Sequence, residues 1–96
     1  MSDQYVTLFI SDLSGNKEIK KRQQRIRTLL KAYKVSFQEV DVAQDEDELE
    51  RMRELVGDEA AVAPQIANGE EYCGDYVAFE TAIEKENLEE FLKLKK

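Results

Sequence analysis

Cys73 is the only thiol in this chain of 96 residues, and there is no histidine. Those two facts bound the chemistry. A lone cysteine can form a mixed disulfide with glutathione, but it has no second thiol with which to close an internal disulfide. A Ser-His hydrolase and a histidine-built metal site are excluded, and one cysteine cannot assemble a thiolate zinc site within a monomer. The acidic run from Asp45 to Glu50 lacks the alternating oxygen ligands and central glycine of an EF-hand loop. It reads as a helix cap with a solvated face, and no metal is expected.

The neighbours of Cys73 set its reactivity. It follows Tyr72 and directly precedes Gly74-Asp75. A helix opening there would favour the thiolate through its N-terminal dipole. Glu70, Glu71 and Asp75 disfavour another negative charge nearby, and burial at a strand end would make the thiol a small hydrophobe. The expected balance is an ordinary, slow thiol.

The elements that must position these residues follow from pattern. Tyr5 to Ile10 is a nearly continuous β-favouring run, as in a strand buried on both faces. Ser11 to Asn16 reads as a loop. Ile19, Ile26, Leu29, Leu30 and Tyr33 recur at helical spacing and predict a helix over 17–34. Val35 to Val42 returns as a strand, so strand, helix and strand make a right-handed unit with parallel strands. Asp45, with Glu48 three positions on, caps a second helix whose apolar face is Leu49, Met52, Leu55 and Val56. Gly57 stops it.

The run from Ala60 ends in Asn68-Gly69, a strong hairpin signal, with Glu70 to Cys73 as the return strand. Gly74-Asp75-Tyr76 then opens a third helix carrying Phe79, Ala82 and Ile83, and Asn87 with Glu90 caps a short fourth. Pro64, the only proline, cannot donate to a ladder, which points to an edge strand or a constrained bond. An X-Pro bond is also where a cis peptide is cheap, and a cis Ala63–Pro64 bond is expected.

Proline, short hairpin, glycine and then helix is how the second half of a thioredoxin-like domain is built, and the full element order is that of glutaredoxin. The chain resembles the SH3-domain-binding glutamic-acid-rich-like proteins, a family of small glutaredoxin-like domains without the redox motif. Ile19-Lys20, Met52-Arg53, Pro64-Gln65-Ile66, Asn68-Gly69, Tyr72 through Tyr76 and Phe91-Leu92-Lys93-Leu94 carry the resemblance, which covers essentially the whole chain. It implies an α/β, thioredoxin-like fold: a four-stranded mixed sheet flanked by helices, one domain over 1–96, with the strand of residues 5–10 lying centrally.

It also implies a groove. In a working glutaredoxin the residue before the cis-proline pairs with the cysteine backbone of glutathione, and glycines at the next helix start admit the glutamyl carboxylate. By resemblance, Ala63 and Pro64 line that groove and Gly74 and Asp75 form its far end. Two departures count against a used site: Cys73 replaces the first of the paired glycines, and the Asp75 carboxylate would repel an incoming one. A turn-plus-cap role for Gly74-Asp75 therefore stands beside the ligand role. No cysteine precedes Cys73, so the Ser11–Asn16 loop lacks the nucleophile of a dithiol oxidoreductase, and conventional glutaredoxin catalysis is excluded.

Charge bears on partners. Residues 1–35 carry eight basic and three acidic side chains, residues 36–96 six and eighteen, for a net −7. That balance argues against nucleic acid. The basic helix is a candidate for contacting an acidic surface, with a solvated face as the plainer reading. No apolar run approaches the roughly 20 residues that span a membrane. The first residues lack a basic start and an apolar signal core, and a lone thiol suits a reducing compartment, so the cytosol is expected, with nuclear entry open to a chain this small. SH3 binding through a PxxP segment is disfavoured with a single proline. The leading expectation is a non-enzymatic, monomeric adaptor that recognises protein partners through the groove or its charged faces. The alternative is a weak redox or glutathione-binding protein acting through Cys73; a scaffold without groove function is the third option.

Overall fold

Val6 to Ile10 forms β1 (Val6–Ile10), buried at every position, in a computed structural model that describes residues 5–13 and 15–94. Ser14 of the first loop and both ends of the expected domain, 1–4 and 95–96, lie outside the described residues. The chain continues through α1 (Lys17–Ala32), β2 (Phe37–Asp41), α2 (Glu46–Val56), β3 (Gln65–Asn68), β4 (Glu71–Asp75), α3 (Tyr76–Glu84) and α4 (Leu88–Phe91). The strands lie in the order β2-β1-β3-β4. β1 runs parallel to β2 and antiparallel to β3, and β3 pairs antiparallel with β4. The result is the four-stranded mixed α/β sheet that the pattern implied, with β1 inside.

Alternation along β1 splits the core in two. Val6, Leu8 and Ile10 pack with Ile26 and Leu30 of α1, Phe79 of α3, and Leu88 and Leu92 around α4. Phe9 points the other way, among Val42, Met52 of α2, Ala61, Ala63 and Ala67. Each large side chain buried here stabilises the fold by about 1.5–3 kcal/mol. α1 and α3 thus cover one face of the sheet and α2 the other.

Side-chain caps fix the starts of α1 and α2, whereas Asn87, expected to cap α4, makes no side-chain cap bond. Asn16 Oδ1 accepts from the N–H groups of Glu18 and Ile19 at 2.8 and 3.2 Å, and Asp45 does the same for Asp47 and Glu48. Gly57, at φ 83°, ends α2 as expected, its N–H and that of Asp58 both donating to Arg53 O. α1 stops two residues before Lys34, because Lys34 turns to φ 60° and Val35 N–H bonds back to Leu30 O at 2.9 Å.

Three readings of the hairpin need correction. Asn68 pairs with Glu71, so the turn pair is Gly69–Glu70 rather than Asn68–Gly69. Gly69, at φ 62°, supplies the positive φ that a type II′ turn demands at its first central position. Asn68 stays in the strand because its side chain is occupied there: Oδ1 accepts from Tyr5 N–H at 2.7 Å, and Nδ2 donates to Leu92 O at 2.8 Å. The return strand starts at Glu71 and runs past Cys73 to Asp75, and α3 begins at Tyr76. β3 is an inner strand, not an edge; Pro64 stands just ahead of it, where no ladder donor is missing.

Between Ala67, paired with Tyr72, and Ile66, paired with Gly74, Cys73 is the extra residue of a β-bulge. Gly74 follows at φ 156°, and a Cβ there would stand 2.8 Å from both Ala78 Cβ and Phe91 Cε1. Glycine is what lets β4 lie this close to α3 and α4.

Candidate functional site

The sheet register gathers the ends of several elements. Ile10 pairs with Asp41, Phe9 with Gln65, and Gln65 with Asp75. Ser11, Val42, Pro64 and Asp75 therefore meet at one end of the sheet, beyond the C-terminal ends of the parallel strands β1 and β2, where open α/β sheets bind ligands. A cavity of ≈ 220 Å³ opens there, lined by Ser11, Ile19 of α1, Val42, Leu49 and Arg53 of α2, and the loop from Ala61 to Ala63.

Side chains hold that loop from two sides. Arg53 Nε donates to Ala61 O at 3.0 Å. Gln65 Nε2 donates to Val62 O at 2.9 Å, and the Gln65 amide oxygen accepts from Tyr72 Oη at 2.6 Å. Burial raises the Tyr72 phenol above its ordinary pKa, with Asp75 and Cys73 adding to it, so it remains a donor at neutral pH. The Ala63–Pro64 bond is cis. Among the described residues neither the N–H nor the C=O of Ala63 has a hydrogen-bond partner. Val62 beside it is 59% exposed.

The opposite wall is fixed by Gln23, buried on α1, whose Oε1 accepts from Ser11 N–H at 2.8 Å. Asp41 Oδ1 accepts from Ala43 N–H at 3.0 Å and from Asp12 N–H at 3.3 Å. Leu13, in the same loop, is 69% exposed.

Of the residues named from sequence, Ala63 lines the cavity and Pro64 is buried next to it. Gly74 is buried under α3 and α4 and does not line it. Asp75 is exposed, and its Oδ1 accepts from Ala78 N–H at 3.0 Å as the cap of α3. Asp75 makes the cap bond of the turn-plus-cap reading, while Gly74 lies in β4 rather than in a turn. Gln23, Arg53, Gln65 and Tyr72 received no site role from sequence. For Gln23 the available signal was its place on the Ile26–Leu30 side of α1.

Cys73 is half-buried and packs against the cluster of Val6, Leu8 and Phe79, on the α1 and α3 side of the sheet. Burial pushes its thiol from 9.0 up to about 11, with Lys93 lowering it and Glu71 raising it by smaller amounts. The cavity opens over the other cluster, beside Val42, Ala61 and Ala63. Cys73 does not line the cavity. Among the described residues no group of three or more His, Cys, Asp or Glu is placed to hold a metal, and no helix is long and apolar enough to cross a membrane.

A family model described as SH3-binding, glutamic acid-rich protein matches residues 4–95. The SH3 domain-binding glutamic acid-rich protein homolog of Drosophila melanogaster is 38% identical over 101 residues, which cover 91% of this chain and 63% of that relative. The chain therefore spans less than two thirds of the relative's length. Among solved structures, the C. albicans actin interacting protein Aip5 superposes with a TM-score of 0.78 at 25% identity, over 93% of this chain and 88% of the other. Buckwheat glutaredoxin in complex with glutathione superposes with a TM-score of 0.67 at 14% identity, over 92% and 76%. The fold is thioredoxin-like.

Proposed function

This chain belongs to the SH3-binding, glutamic acid-rich protein family, and from that premise we propose that it is a non-catalytic binding module whose groove beside Ala63 and Pro64 takes an extended segment of a protein partner. One observation carries this reading. The carbonyls of Ala61 and Val62 are already held by Arg53 and Gln65, while among the described residues the N–H and C=O of Ala63, a buried residue that lines the cavity, have no partner. An extended segment pairs its own backbone with such a residue and sets a side chain into the adjoining cavity, so that the backbone gives affinity and the cavity specificity.

The chemistry of the site agrees. Ser11 stands in the loop where a working glutaredoxin carries its nucleophile, and a hydroxyl does not exchange with disulfides as a thiolate does. Cys73 packs against the α1 and α3 cluster and does not line the cavity, which weighs against the redox reading. The single proline removes a PxxP route to an SH3 domain. Actin is one partner to test, because Aip5 is an actin interacting protein. The module acts as a monomer, in a reducing compartment such as the cytosol, where its lone thiol stays reduced.

The test begins with peptides selected from a random library on the immobilised chain, then titrated into the ¹⁵N-labelled chain. Amide shifts should concentrate at Ser11, Ile19 and Ala61 to Ala63, and Val62→Glu should abolish binding while leaving the rest of the spectrum unchanged. Shifts elsewhere, or binding indifferent to Val62→Glu, reject the groove. Glutathione-dependent disulfide reduction at the rate of an ordinary glutaredoxin rejects the non-catalytic reading.

A further inference from the structure

We infer that the outer face of α1 is a second docking surface, built for an acidic polypeptide segment of a protein partner and independent of the groove. The helical period buries Ile26 and Leu30 and turns Lys17, Lys20, Lys21, Gln24, Thr28 and Lys31 to the opposite side, where all six are exposed. The cations of this helix divide by type. Arg22 pairs with Glu18, Arg25 with Glu80 of α3, and Arg27 with Glu39 of β2. Arg22 also lies 4.8 Å from the centre of the Tyr76 ring. None of the four lysines has an ion pair among the described residues. The arginines fasten α1 to its neighbours, and the lysines remain as an unneutralised row. Gln24 donates to Thr28 Oγ1 at 3.3 Å and accepts from Arg27 at 2.8 Å, so no anion interrupts the row.

The composition of the row selects the partner. It contains no aromatic or aliphatic side chain to insert between lipids, which a membrane-surface helix requires. A second copy offers Glu46, Asp47, Glu50 and Glu54 on the exposed side of α2, but that patch spans about 12 Å against about 21 Å from Lys17 to Lys31. Carboxylates spread along a flexible segment fit the whole row.

Charge placement gives the binding an unusual salt dependence. The acidic side of α2 lies across the sheet from α1, in a molecule whose shortest extent is 20 Å. At about 0.1 M salt the screening length is about 10 Å and the lysine row acts locally; at about 10 mM it is about 30 Å, longer than that shortest extent, and the net charge repels an acidic ligand. Affinity should therefore rise and then fall as salt increases.

The experiment is fluorescence anisotropy of labelled poly-L-glutamate with the full chain at about 10 mM, about 0.1 M and about 1 M salt. Binding should be tightest at the middle concentration and fall on the order of tenfold or more in Lys17→Gln/Lys20→Gln/Lys21→Gln/Lys31→Gln, while Lys34→Gln/Lys85→Gln leaves it unchanged. The circular dichroism of both variants should match the parent. No binding at any salt, an equal loss in the two variants, or a steady decline from the lowest salt overturns the inference. So does tighter binding to phosphatidylserine vesicles or single-stranded DNA, or lysine-dependent self-association in sedimentation. Peptides held by the groove should bind the lysine variant normally, which separates failure here from failure of the groove.

Discussion

Arg53 donates from Nε to the carbonyl oxygen of Ala61 across 3.0 Å, tying the last turn of α2 to the loop ahead of Pro64. Its own carbonyl accepts the N–H groups of Gly57 and Asp58, so one residue sets both where the helix ends and where the loop lies.

Arg53→Met keeps the aliphatic stem and removes the donor, leaving the carbonyl of buried Ala61 unpaired. The expected loss is about 1–3 kcal/mol, read as a lower urea midpoint with faster amide exchange from Ala61 to Ala63. An unchanged midpoint and exchange pattern would show the contact to be idle.

Gly74→Ala should destabilise by about 1–3 kcal/mol, because its Cβ has no room. The obstructing atoms are Ala78 Cβ and the Phe91 ring edge, each 2.8 Å away. Adding Phe91→Leu should restore part of the loss, and a thermal melt of the single and double variants checks both. A fully stable Gly74→Ala would refute the packing role.

Much of this was readable from residue order, and the misses share one cause. The strand run of β1, the Asp45 cap and the Gly57 stop are local signals, and each stands where the pattern put it. The hairpin turn slipped by one because Asn-Gly is a local signal overruled by distant partners, Tyr5 and Leu92, which hold the Asn68 side chain. The resemblance set Gly74 at the far end of the groove, and residue order alone does not show that Phe91 comes to lie against it. The cavity was legible at Ala63 but not at Arg53 or Gln23, whose roles depend on a carbonyl and an amide brought near by folding.

Asn68→Leu keeps the size and removes the donors and acceptor that join β3 to Tyr5 and to the end of α4. With several backbone groups left unpaired, the loss should be about 2–4 kcal/mol. Amide exchange at Tyr5 should accelerate beyond the global effect; a uniform change across the molecule would contradict a local clamp.

Cys73 should alkylate slowly at neutral pH, and the rate should climb as pH nears about 11, to which burial raises its thiol. Unfolded protein should react faster at every lower pH. A folded pKa raised from 9.0 to about 11 means the native state holds the proton more tightly than the unfolded one. Its stabilising contribution is complete below the unfolded value and drains away as pH rises from 9.0 to about 11. Denaturation midpoints of the parent and Cys73→Ala should therefore converge through that interval. Fast alkylation of the folded chain at neutral pH would count against a buried thiol.

The bulge at Cys73 also governs how copies of this molecule behave when crowded. β4 is an outer strand, and an outer strand with an even row of amides and carbonyls invites another sheet to zip onto it. The extra residue throws the groups on either side of it out of step. Glu71 and Asp75 flank the break, both exposed, and each would face a like charge on a second copy. A misaligned, negatively charged border is a poor template for the strand of a second copy along this edge.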